Sequence, residues 1–149
     1  MAVFNIRATL QALQSHLTAS GYYPGGAEIG ELKIPPGEAI TAAIFMNAVT
    51  TEMLTINTVR ETHTVTVRLY KNMLDKPEQE TEFALAEAAA LTTEDFLGDL
   101  QMGGEIFTVD VSNTTLTETW GYLDVGGVMF RIVDLIVPLV VNNTVTLAS

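Results

Sequence analysis

The chain has 149 residues, no cysteine, 48% hydrophobic residues and seven basic against eighteen acidic side chains, for a net charge of -11. That length supports one core, because a domain of this size buries roughly two-thirds of its unfolded surface, and the expectation is a single domain spanning 1–149. The composition excludes disulfides and thiolate chemistry, and so acidic a surface repels phosphate backbones and anionic lipid, which argues against nucleic-acid and membrane-surface binding.

Residues Ile6, Leu10, Leu13 and Leu17 fall within a narrow arc at helical spacing, with Arg7, Gln11, Gln14 and Thr18 opposite, so the first predicted element is an amphipathic helix. Asn5 is a cap residue at its start and Gly21 suits the left-handed position past its end. No cationic region and apolar run precede this helix, so no signal peptide is expected. A turn over Tyr22 to Gly26 leads to a short extended segment, Ala27 to Ile34, stopped by Pro35 and Pro36. Ile40 to Asn47 reads as a buried strand. Arg60 to Tyr70 alternates strictly, with His63, Val65, Val67 and Leu69 on one face and Thr62, Thr64, Thr66 and Arg68 on the other. The two strands are expected to pair antiparallel. The connection between them, Ala48 to Val59, reads as a long loop that is unusually apolar, carrying Val49, Met53, Leu54 and Ile56 and suited to docking on a partner; the alternative is that it extends the two strands into a longer hairpin packed on its own subunit.

A second helix is predicted from about Pro77 to Leu100, with Leu85, Ala86, Ala89, Ala90, Thr93, Phe96, Leu97 and Leu100 sharing one face and Glu80, Glu87 and Glu94 the other. Strands follow at Ile106 to Ser112, Glu118 to Asp124 and Val128 to Val141. Gly126 and Gly127 supply the positive φ angles of a tight hairpin between the last two. Pro138 has no N–H for a sheet ladder, so it marks an edge position or a bulge. The longest apolar run, Ile132 to Val141, contains Asp134 and Pro138 and is too short to span a bilayer. The predicted class is α+β, two helices packed on one mixed or antiparallel sheet.

Little in the sequence points to chemistry. His16 flanks the apolar stripe of the first helix and His63 sits among valines, so neither has the partner that a nucleophile–base pair needs. Glu61 and His63 put two donors on one strand face without a third or fourth for a metal. Trp120, Tyr122 and Phe130 suit a core or interface layer better than a stacking platform. No catalytic residue, cofactor or metal site is assigned. Charge is unevenly placed: Arg60, Arg68, Lys71 and Lys76 hold four of the seven cations, while Glu78 to Asp99 holds seven of the eighteen acids. These segments are either solvated faces or the two halves of a contact in which one subunit's basic strand meets a neighbour's acidic helix.

The motif RLYKNML at Arg68 to Leu74, an acidic helix ending in FLGDL at Phe96 to Leu100, and the run WGYLDVGGVMFRIVDLIVPLVV at Trp120 to Val141 resemble the tail terminator proteins of long-tailed bacteriophages, especially those infecting actinobacteria. IRATLQALQSHLTASGYY and EIGELKIPPGE fit the same family, so the resemblance covers essentially the whole chain. It implies a virion protein whose six copies form a hexameric ring on the head-proximal end of the tail tube. Such a ring stops tube growth and offers the surface for joining the head, with the major tail tube protein and the head–tail connector proteins as partners. Another neck or tail ring component, such as a connector or tail completion protein, remains an alternative. A small-molecule-binding enzyme is a remoter one. An acidic chain suits a ring through which DNA passes without being held. Assembly contacts are expected at Val49, Met53, Leu54 and Ile56, with Arg60 and Arg68 beside them.

Overall fold

The alternation over Thr58–Asn72 places one residue in two against a core, and the strand it forms is the axis of the sheet. A computed structural model describes residues 6–33, 36–37, 39–53, 55–72, 78–98, 108–109 and 117–144. Their elements are, in chain order, α1 (Ile6–Ser20), β1 (Ala27–Ile29), β2 (Thr41–Met53), β3 (Thr58–Asn72), α2 (Glu78–Gly98), β4 (Thr108–Val109), β5 (Thr117–Val125) and β6 (Val128–Thr144). The sheet runs β1-β2-β3-β6-β4, with β5 also paired to β6. Only β1 against β2 is parallel, so the sheet is mixed and the fold is α+β. β5 and β4 share one border of β6 end to end, β5 opposite Val128–Ile136 and β4 opposite Leu139 and Val140.

Both helices cover the same sheet face. Leu13 and Leu17 of α1 and Leu85, Ala88 and Ala89 of α2 close over Ala42, Ile44, Val65, Val67, Leu69, Val133, Leu135, Val137 and Leu139. Each large aliphatic side chain fully removed from water there contributes roughly 1.5–3 kcal/mol. Tyr23 and Thr92 are joined by their hydroxyls, and Thr92 donates to the Ala88 carbonyl at 2.7 Å, which ties the α1–β1 turn to α2. The opposite face carries a smaller cluster of Ala43, Tyr70, Val125, Phe130 and Ile132, with Leu32 packed against it. Tyr70 and Phe130 meet edge to face at 6.2 Å.

The expected helix and strand order holds over the described residues, with Gly21 at φ 77° past α1 and both Gly126 and Gly127 at positive φ in the β5–β6 turn. Asn5 and the predicted strand outside Thr108–Val109 lie beyond the described residues. Several expectations need correction. The segment from Ala48 to Val59 is not a long loop: β2 continues to Met53 and β3 begins at Thr58, so it is a hairpin with a short turn. Its alternation is hard to see because residues 47–53 are exposed on both faces and therefore need no apolar side. β1 ends at Ile29 rather than Ile34, because Gly30 at φ 98° turns the chain off the sheet. Pro138 pairs with Thr64 of β3, and on its other side it falls between the stretches of β6 that β5 and β4 cover, so among the described residues it has a strand on one side alone, which is locally the expected edge position. The missing N–H therefore costs no described ladder bond. The buried arc of α2 is Thr81, Leu85, Ala88, Ala89 and Thr92, whereas Ala86 and Ala90 are exposed. Alanines lie all around this helix, so small apolar residues mark no single side.

Candidate assembly surface

Residues 47–53 of β2 are all exposed, and with the facing part of β3 and the last residues of β6 they form an arm that extends from the helix-covered sheet. At its tip the Thr58 amide donates to Thr55 Oγ1 at 3.1 Å and the Thr55 amide to the Thr58 carbonyl at 3.2 Å, fixing the turn. Val49 pairs with His63 and Met53 with Val59, which places both side chains on the helix side of the arm. Val49 is 42% exposed, Met53 65% and Ile56 72%. Leu54 lies outside the described residues. Arg60 is exposed on the other side, across from Glu52.

At the root of the arm Glu61 and His63 are buried, and His63 Nε2 is bonded to Glu61 Oε1. Nδ1 of the same ring is buried without a hydrogen-bond partner. The pair fills the helix-side surface where the arm meets the core, so its evident role is to give a polar interior to a strand that would otherwise bury a lone carboxylate. Among the described residues no group of three or more His, Cys, Asp or Glu side chains is arranged to hold a metal ion.

Arg68 sits on the face opposite the helices and is consumed within its own chain. Its Nε donates to Asp134 Oδ1 at 2.7 Å and Nη2 to Oδ2 at 3.0 Å, a two-pronged contact across the β3–β6 register. Nη1 donates to Glu31 Oε1 at 3.0 Å, and the guanidinium lies 5.1 Å from the Phe45 ring centre. The bond to Asp134 raises its pKa further above the usual arginine value, against the opposing effect of burial. Burial in turn raises the pKa of the neighbouring Tyr70 hydroxyl.

Lys71 is buried on the helix side and borders a groove of about 420 Å³ lined also by Tyr22, Pro24, Ile40, Ala84, Glu87 and Leu91. Of the basic cluster expected to face a neighbour, Lys76 is outside the described residues and only Arg60 stands exposed.

An acidic-helix contact does exist, but inside the chain and through Arg131. Its Nε bonds Glu82 Oε1 of α2, Nη1 donates to the Gly121 carbonyl at 3.0 Å, and the guanidinium lies 4.5 Å from the Tyr122 ring centre and 5.2 Å from that of Trp120. The sequence held a signal for this: a two-residue Gly126-Gly127 turn sets the hairpin register and so places Tyr122 opposite Arg131. Tyr122 at 53% and Met129 at 45% are exposed apolar side chains of this hairpin, and Phe83 of α2 is 63% exposed. Tyr122 and Met129 lie at the β5–β6 turn end of the sheet, opposite to the arm tip, because β2 and β6 run in the same direction.

No protein-family model matches the chain, and no curated protein matches it. Among solved structures, one chain is 17% identical over 100% of this chain and 99% of its own, at a TM-score of 0.39. No described helix is long and apolar enough to cross a membrane.

Proposed function

We propose that this chain is a structural virion protein, the ring that caps the head-proximal end of a phage tail tube, rather than a catalyst. The observation that carries the reading is the arm: a hairpin exposing Val49, Met53 and Ile56, held in shape by regular pairing with β3 and by the buried Glu61–His63 pair. Apolar side chains presented on an ordered strand are costly to leave in water and characteristic of a contact surface. Their burial against a partner returns on the order of 1.5–3 kcal/mol for each one fully covered. The exposed Tyr122 and Met129 at the opposite end of the sheet give the subunit a second, unlike contact region, which is what a closed cyclic ring of identical copies requires.

In this role six copies make the ring, the major tail tube protein is bound on one side and the head–tail connector proteins on the other, and the protein resides in the virion. Excess acidity leaves a passage for DNA that does not hold it. The resemblance of the RLYKNML and WGYLDVGGVMFRIVDLIVPLVV segments to tail terminators selects this role from other ring components. The test is to add the purified protein to its cognate tail tube protein during polymerisation and measure tube lengths by electron microscopy. Short, capped tubes whose length falls as the protein concentration rises support the reading; tubes of unchanged length with free ends overturn it.

A further inference from the structure

β1 accompanies β2 only from Ala42 to Ile44. The ladder ends where the Gly30 amide donates to the Ile44 carbonyl at 2.7 Å and Gly30, at φ 98°, leads the chain away. β2 then continues to Met53 with no described strand on its outer side. Ordered strands of this length are normally guarded by Lys, Pro or a covering element, because unpaired N–H and C=O groups recruit other chains. Phe45 to Met53 carries no Lys, Arg or Pro; its one β-bulge, between Met46 and Ala48, lies at the root of the arm. The other border of the sheet likewise has no described strand outside β5. β5 spans 9 residues, pairs among the described residues with β6 alone, and also carries no Lys, Arg or Pro.

We infer that the outer edge of β2 in one copy takes strand β5 of the next, so that the sheets of neighbouring copies join edge to edge. The directions fit. β2 and β6 run one way, β3 and β5 the other, so β5 laid beside β2 pairs antiparallel. A β2–β5 contact joins unlike edges and leaves one of each free for further copies, whereas β2 against β2 would stop at two. The occupant is thus a second copy of this chain, and the inference rests on the ring reading given above.

The register also says which amides are available. Gly26 accepts from the Ala42 amide at 2.9 Å, and Gly30 donates to the Ile44 carbonyl, so residues 42 and 44 turn their peptide groups outward. Their partners on β3 are Leu69 and Val67, and counting on by twos through His63, Glu61 and Val59 makes Val49, Thr51 and Met53 the outward-facing residues of the arm. Thr51→Pro therefore deletes an amide that has no described partner in its own sheet but would face the neighbour.

Thr51→Pro and the unaltered protein are compared by light scattering and circular dichroism. In parallel, a mixture of Val49→Cys and Thr119→Cys copies is treated with a short bis-maleimide, which is clean because the chain has no cysteine. The expected result is a ring for the unaltered protein, monomer with an unchanged spectrum for Thr51→Pro, and cross-linked dimer only when both cysteine variants are present. Assembly of Thr51→Pro as for the unaltered protein, or cross-links formed by Val49→Cys copies alone, overturns the edge contact and leaves the ring reading standing. Monomer for the unaltered protein at every concentration removes both. Should Thr51→Pro fail to fold, the cross-links decide: mixed product supports the contact and its absence rejects it.

Discussion

Asp134→Ala should destabilise the isolated subunit by about 2–3 kcal/mol, and the size follows from where the pair sits. Arg68 and Asp134 side chains are 15% and 19% exposed, so neither is screened as a surface pair is. The change removes two charge-assisted hydrogen bonds of 2.7 and 3.0 Å and leaves a guanidinium largely out of water, and bonds to charged groups contribute about 1.5–3 kcal/mol. The loss stays below the 3–5 kcal/mol typical of a fully buried pair because Glu31 keeps its own bond to Arg68. Glu31 itself, at 60% exposure, is worth only about 0–1 kcal/mol, so Glu31→Ala is the mild control. Urea unfolding monitored by tryptophan fluorescence reads both, and the double change Arg68→Leu with Asp134→Leu should cost less than Asp134→Ala alone, since no unpaired charge remains. A loss under 0.5 kcal/mol for Asp134→Ala, with Arg68→Glu abolishing assembly while leaving the subunit equally stable, would refute the placement of Arg68 inside its own chain and restore it as an intersubunit contact.

Three further outcomes follow from the same geometry. Burial keeps the Tyr70 hydroxyl protonated above its ordinary 10.0, so the folded chain holds a proton that the unfolded chain releases; stability is complete below pH 10 and falls as the pH climbs past it, and Tyr70→Phe should flatten that fall in alkaline denaturation. His63→Ala leaves Glu61 buried without its partner and should cost about 1–3 kcal/mol in urea unfolding; no metal should copurify with the unaltered protein, and a stoichiometric metal that His63→Ala loses contradicts this account. Met53→Ser with Ile56→Ser exchanges side chains that are 65% and 72% exposed, so subunit stability should stay within about 0.5 kcal/mol while assembly weakens at least tenfold in concentration; equal assembly would remove the arm as a contact.

Legibility of this chain tracks burial. Where one strand face meets the helices, the alternation of Val65, Val67 and Leu69 against Thr64, Thr66 and Arg68 made the strand and its facing obvious. Glycines forced into positive φ at Gly21, Gly126 and Gly127 were equally plain, because few other residues go there. The arm was not, since exposure on both sides erases the period-two pattern and an exposed strand then looks like an apolar loop. The charged residues are hard to place from the sequence for a related reason. Segregation along the sequence put Arg68 with Arg60 and Lys71, yet alternate residues of a strand face opposite ways, so Arg68 lies across from Asp134 on the open face while Lys71 is buried beside α2. Of the contact residues nominated from sequence, Val49, Met53, Ile56 and Arg60 are exposed on the arm, and Arg68 is not available.

The mass of the purified protein by light scattering, taken with negative-stain images of the same fractions, bears most directly on whether this subunit builds a ring. The account predicts a single species at six times the 16.1 kDa chain mass, seen as closed rings with a central channel. A monodisperse monomer, or open fibres without closure, at every concentration up to the solubility limit contradicts it.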